Sequence, residues 1–263
     1  MLSISPVKNI AVATCAKRLM LSCLLFAAAG AGAQATDPDD ALATDIVEKA
    51  DLVRLPSESF EAAVTITTAT GDEAATTHKY RLLAKGSENT IVMVTEPAAE
   101  RGQIMLMKGH DLWVFLPNVS QPVRLSLSQR LTGQVANGDL ARANFAGDYQ
   151  AKLVRTEPLD GDALYVIELT AKERSVTYHR VLYWVRKSNN APHRAEFYSV
   201  SGRLLKSCSY EGFKRVAGRI RPTRLVMQDA LRADERSVLE YTDIRLRDLP
   251  DRVFTKDYLK RLE

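Results

Sequence analysis

From Ser59 onward the chain changes to stretches in which apolar side chains recur at every second residue, with short polar breaks between them. Phe60, Ala62, Val64 and Ile66 alternate with Glu61, Ala63, Thr65 and Thr67. A period of two is that of a strand with one buried face. Further strands are expected over 77–85, 91–95, 103–108, 112–116, 149–155, 164–170, 177–187, 194–200, 204–216, 220–228 and 237–246. Breaks such as Gly71-Asp72, Gly109-His110-Asp111, Asp160-Gly161-Asp162 and Ser201-Gly202 supply the turns. Tight turns of this kind join neighbouring strands as hairpins. The expectation is a mainly β fold of about eleven or twelve strands in one large antiparallel meander.

Three segments do not share the rhythm. The first precedes the strands: Pro38 and Asp39 open a helix over 37–51, with Leu42, Ile46, Ala50 and Val53 at helical spacing and Pro56 closing it. At the other end a short closing helix is expected over 255–262. The third lies between Pro117 and Gly147, where alternation stops. A helical fragment over Ser126–Leu131 and another over Leu140–Phe145 are expected there. Long insertions in compact domains are commonly functional covers, and Leu125, Leu127, Leu131, Leu140 and Phe145 make this one too apolar for a tether. It is read as a lid over about 117–147.

The amino-terminal residues have a different logic. Lys8, Lys17 and Arg18 precede the apolar run Leu19–Phe26, and Ala31-Gly32-Ala33 follows with small residues. This is the pattern of a cleaved secretory signal peptide, with cleavage expected after Ala33, or after Ala35 as second choice. Cys23 lies inside the apolar run, so lipid attachment there is not expected. The leader takes three of the cations behind the formal charge of +4, leaving residues 34–263 close to neutral. No basic stripe argues for nucleic acid. Cys15 and Cys23 leave with the leader, so Cys208 has no partner for an internal disulfide. No other apolar run approaches the roughly twenty residues of a membrane helix, and a soluble protein is expected.

Catalytic signatures are missing from the sequence. His78, His110, His179 and His193 are far apart, with no HExxH and no zinc-ligand spacing. Nor is there a GxSxG elbow, a phosphate-cradling glycine loop or a CxxC pair. His110 is read as a solvated turn residue. No metal, no cofactor and no enzymatic activity are expected, although distant Ser, His and Asp residues could still converge in space.

The apolar content is more informative. Ile104–Met107 and Leu112–Leu116 are apolar on both strand faces. Such strands line a cavity or are covered on both sides, and pattern alone leaves both open. Met105, Met107, Trp113 and Phe115 suit a surface that accepts flexible chains. Trp184 and Phe197 add bulk on later strands, and Leu125, Leu131, Leu140 and Phe145 would face them from the lid. Arg101, Arg124 and Arg130 flank these segments, either as a solvated face or as a cationic mouth that meets headgroups.

The run Lys108-Gly109-His110-Asp111-Leu112-Trp113-Val114-Phe115-Leu116-Pro117 resembles the G-x-x-L-W-x-[YF]-x-P hairpin strand of the periplasmic LolA-like lipoprotein carriers. Pro122 to Leu125, Ser128 to Arg130 and Asn137 to Leu140 are similar to the outer membrane lipoprotein-sorting proteins of that superfamily. The resemblance covers residues 34–263 and implies one half-barrel domain: an incomplete antiparallel β-barrel wrapped over the amino-terminal helix and a helical lid. It further implies a periplasmic monomer that carries lipid or lipoprotein acyl chains between an inner-membrane exporter and an outer-membrane acceptor. A sensor or interaction module accessory to such an exporter is the alternative use of the fold. No arginine here matches the one that closes the carriers' lid.

Overall fold

In the computed structural model, residues 38–142 and 144–259 are described. They fall in one compact unit, Thr36–Glu263. The expected signal peptide lies outside the described residues. Helix α1 (Pro38–Arg54) begins on proline, carries Asp39 and Asp40 in its first turn, and buries Ala43, Ile46, Val47, Ala50 and Arg54. Ile46 and Ala50 of the expected stripe are buried as expected, but Leu42 is exposed and Val53 only half-buried, Ala43, Val47 and Arg54 completing the buried face.

Six strands follow in order: β1 (Phe60–Thr70), β2 (Thr76–Lys85), β3 (Asn89–Glu96), β4 (Ile104–Lys108), β5 (Asp111–Phe115) and β6 (Val123–Leu125). A small pair, β7 (Arg130–Thr132) and β8 (Val135–Ala136), precedes the short helices α2 (Asn137–Ala141) and α3 (Phe145–Asp148). The second run comprises β9 (Tyr149–Leu159), β10 (Asp162–Ala171), β11 (Arg180–Arg186), β12 (Pro192–Tyr198) and β13 (Leu204–Glu211). A hairpin of β14 (Lys214–Val216) and β15 (Arg219–Arg221) then leads to β16 (Arg224–Asp229), β17 (Glu235–Leu246) and α4 (Lys256–Leu259).

Thirteen of these strands form one antiparallel sheet in the order β6-β5-β4-β3-β2-β1-β17-β16-β13-β12-β11-β10-β9. The chain enters at the centre, meanders to the β6 edge, crosses to the β9 edge and meanders back to pair β17 with β1. The two edges do not pair, so the barrel is incomplete, as expected, with one strand more than the upper expectation. This topology gives the 126–148 segment a second reason to exist. It is the connection that must carry the chain across the width of the sheet.

The main core lies on the sheet's inner face, against α1 and the crossover. Phe60, Ala62, Val64 and Ile66 all point into it, beside Tyr80, Leu82 and Ala84 on β2. A second cluster covers the outer face of β2–β5, where Leu83, Ile91, Ile104, Leu106 and Phe115 meet Leu249, Val253, Phe254 and Leu259 of the carboxy-terminal segment. A third, outer cluster gathers Leu164, Val166 and Trp184.

Two expected elements differ. Ser126–Arg130 is not helical: it turns into β7, because Gln129 and Leu127 carbonyls accept from Asn137 and Gly138 N–H groups across the crossover and not from their own segment. Gly133, in the β7–β8 turn, has φ +49° and a Cβ there would sit 2.1 Å from Thr68 Oγ1, so only glycine permits this approach to the sheet. The closing helix is a 3-10 turn (Asp251–Phe254) followed by α4. Among the described residues no helix is long and apolar enough to cross a membrane.

Candidate functional site

The space between the inner face of the sheet and its helical cover is not filled everywhere. A cavity of about 370 Å³ lies between the carboxy-terminal half of α1, strands β1–β3 and the α2–α3 crossover. Its walls are mostly apolar: Leu52, Leu55 and Pro56, then Phe60, Leu82 and Ala84, with Leu140 and Ala141 opposite. Glu48, Leu52, Ser57, Gly86 and Ser87 at its rim are exposed, so it opens to solvent at that end of the sheet. Further along the same face, Met105, Val114, Leu116, Leu125, Leu131 and Tyr80 line a second cleft of about 180 Å³, with Arg130 and Glu100 at its edge.

The crossover above these spaces is held by buried charges. Lys206 Nζ lies 2.5 Å from Asp139 Oδ2, with side-chain exposures of 5% and 6%. The Tyr178 hydroxyl donates to the same carboxylate at 2.8 Å, and Ala136 N–H does so at 2.8 Å. Lys206 also donates to the Gln134 carbonyl and stands over the rings of Tyr178 and Phe197. Arg142 grips Asp148 with two bonds of 2.6 and 2.5 Å and donates to the Gly109 carbonyl at 2.9 Å. His110 Nε2 meets Asp148 Oδ1 at 3.0 Å, so this histidine joins the network and is not merely a solvated turn residue. Ion pairs removed from water this far persist only when their hydrogen-bonding capacity is met.

A third pair lies under α3. Arg54 Nη1 is 3.1 Å from Asp51 Oδ1, Ala146 N–H donates to Asp51 Oδ2 at 2.9 Å, and the guanidinium stands 4.2 Å from the centre of the Phe145 ring. Burial pushes the Asp51 carboxyl up from 3.8 to about 6, against the opposing pull of Arg54. Folding therefore takes up a proton between these values. The ionised carboxylate costs stability above about pH 6, and that cost fades as pH falls toward 4. Whatever their offset at neutral pH, the protein should gain up to about 3 kcal/mol relative to Asp51→Asn over that descent. Urea midpoints of the two proteins across that range check it, and parallel curves would exclude it.

The structure sorts the sequence-derived residues. Met105, Met107, Leu140, Phe145 and Phe197 are buried in the inner core, with Leu125 and Leu131 packed against it. Met105, Leu125, Leu131 and Arg130 meet around the smaller cleft, and Leu140 lines the larger cavity. Trp113 and Phe115 are corrected. Strand parity turns them outward, pairing with Leu106 and Ile104 beneath the carboxy-terminal segment, where Lys256 Nζ lies 4.0 Å from the Trp113 ring centre. Trp184 is likewise outward and donates its Nε1–H to Glu157 at 3.0 Å. Of the arginines, Arg124 pairs with Asp111, Arg130 lies 3.8 Å from Glu235, and Arg101 donates to the Thr95 carbonyl; all three are exposed.

Asp139, Arg142, Asp148 and Lys206 were not singled out in the sequence. Lys206 did carry a signal: it shares strand parity with the buried Cys208 and Tyr210. The Cys208 thiol is pushed up to about 12 by burial, which leaves it unreactive. Among the described residues no group of histidine, cysteine and carboxylate side chains could hold a metal ion.

Comparison with known proteins places this arrangement. A family model described as "Uncharacterized protein" matches residues 86–261. A LolA superfamily protein from Nitrosomonas europaea is 62% identical, with a TM-score of 0.79, covering 82% of this chain and 98% of its own. An outer membrane lipoprotein-sorting protein domain from Vibrio parahaemolyticus shares the fold at 20% identity, with a TM-score of 0.72 and 84% and 100% coverage. No curated protein matches.

Proposed function

The chain belongs to the LolA superfamily, and on that premise we propose that it is a periplasmic carrier that shelters lipid acyl chains, alone or on a lipoprotein, between the two membranes. The observation that carries this reading is the 370 Å³ cavity with its apolar walls between sheet and crossover. Its volume falls in the roughly 300–1,000 Å³ range of small-molecule sites. Each methylene buried there contributes about 0.8 kcal/mol without directional contacts, which suits cargo of varying chain length. The lipoprotein-sorting neighbour supports the same reading.

Several inward residues named from the sequence serve in it differently. Leu140 forms the cavity wall, Met105, Leu125 and Leu131 extend the apolar track into the smaller cleft, and Met107, Phe145 and Phe197 are core residues that line neither space. The protein acts by binding, with no catalytic step.

Filling the cavity tests this. Ala84→Trp and Ala141→Phe place bulk at two walls that are now 5% exposed alanines. Each should weaken binding of a fluorescent fatty acid by about tenfold or more while the far-ultraviolet circular dichroism stays that of the parent. Lipid extracted from the exported protein should be identifiable by mass spectrometry. Absence of micromolar probe binding by the parent protein, or full binding by both folded variants, would overturn the reading.

A further inference from the structure

The β14–β15 hairpin packs against the carboxy-terminal end of α1. Its turn is a two-residue one, with Ala217 at φ 46° and Gly218 at φ 78°. Positive φ at both central positions marks the tight turn whose twist matches its strands. Phe213 and Ile220 are 37% and 50% exposed. Beside them, Lys214, Arg215 and Arg219 are exposed; the Glu58 carboxyl is close enough to feel the charge of Arg219, but none of the three cations has a carboxylate of the described residues within ion-pair distance. With Val53 and Arg186, the residues Phe213, Arg215, Arg219 and Ile220 frame a groove of about 510 Å³.

This cation surplus is local. The whole chain has 36 basic and 32 acidic residues, three of the former in the leader. The hairpin is also held firmly. Arg221, 2% exposed, donates from Nη1 to the Leu52 carbonyl at 2.6 Å and the Val53 carbonyl at 3.3 Å, tying β15 to the end of α1. Leu52 is at the same time a wall of the 370 Å³ cavity. Strand register puts this hairpin at the end of the sheet where the β2–β3 turn, Gly86-Ser87, forms the cavity rim.

We propose that the β14–β15 hairpin docks the protein on an anionic phospholipid surface, with Lys214, Arg215 and Arg219 meeting headgroup phosphates and Phe213 and Ile220 entering the boundary beneath them. Unpaired cations interleaved with exposed apolar side chains fit that interface in both charge and hydrophobicity. An acidic protein face would satisfy the cations alone. Docking here presents the cavity rim to the bilayer, yet it is read from the hairpin and does not require that the cavity hold lipid.

The test is co-sedimentation of the exported, purified protein with vesicles. Binding should be strong to phosphatidylcholine vesicles containing phosphatidylglycerol, weak to pure phosphatidylcholine, and reduced by high salt, which shortens screening to about 3 Å at 1 M. Arg215→Glu/Arg219→Glu should weaken binding at least about tenfold, and Ile220→Ser should weaken it independently. Uptake of a soluble fatty-acid probe should stay at the parent level in these variants, which separates docking from the carrier role. Equal binding to both vesicle types, or no loss in the charge-reversed variant, would overturn the proposal. Loss on charge reversal with none in Ile220→Ser would overturn it too, because the contact would then be with headgroup charge alone and not with the boundary beneath.

Discussion

Lys206→Met is expected to destabilise the protein by about 3–5 kcal/mol, the range for breaking a buried ion pair by removing one partner. The substitution keeps most of the side chain's volume but leaves the 6%-exposed Asp139 carboxylate with only the Tyr178 hydroxyl and the Ala136 N–H. Lys206→Met/Asp139→Leu should recover much of the loss, since the stranded charge goes with it. A double-mutant cycle on urea midpoints measures the coupling. Hydrogen exchange locates it: amides of 126–148 should lose protection before those of β1 and β17, which sit in the middle of the sheet. A cost below about 1 kcal/mol, of the size seen for exposed pairs, would show that the crossover is held by its apolar contacts alone.

The second large effect concerns the outer face. Phe254 is 1% exposed and fills the cluster over β2–β5 with Leu106, Phe115 and Leu249. Phe254→Ala should cost about 3–5 kcal/mol, lost transfer energy plus the cavity left behind. Trp113→Ala on the same face, half-buried under Lys256, should cost less. Neither should change the affinity for a fatty-acid probe in protein that remains folded, because the sheet separates this cluster from the inner face. A Kd weakened tenfold by Trp113→Ala at unchanged fold would put the lipid on the outer face instead. The comparison pairs naturally with Ala84→Trp, whose effect should be on binding and little on stability.

These expectations trace which parts of the molecule were legible in the chain. The alternation of Phe60, Ala62, Val64 and Ile66 identified both a strand and its inward face, since side-chain direction in a strand follows from position alone. Ile104–Met107 and Leu112–Leu116 gave no such answer. With apolar residues at every position, parity could not say which set faced the cavity and which lay under a cover. Met105 and Val114 turned out to be inward, Trp113 and Phe115 outward. The cover is the carboxy-terminal segment around Phe254, more than a hundred residues away in sequence, and no local pattern announces a partner so distant.

The buried charges show the same division more sharply. Arg142 and Lys206 look from the sequence like ordinary cations in amphipathic segments. Their placement against Asp148 and Asp139 depends on a crossover passing over the inner face at a particular height. The apparent Ser126–Leu131 helix failed for a related reason. Its carbonyls find better partners in the returning chain at Asn137 and Gly138 than in their own next turn.

The period-two pattern with its short turns by itself determined that the protein is a long antiparallel meander around one inner face, with an apolar interruption at 117–147. Local sterics and burial are enough for that, because each strand's period is written in its own residues. The tertiary structure alone decided that the interruption is the bridge between the two edges of the sheet, which strand faces line the cavity, and which charges latch the cover. Those outcomes depend on contacts between segments that are far apart in the chain, and their energies exist only once the sheet has brought the segments together.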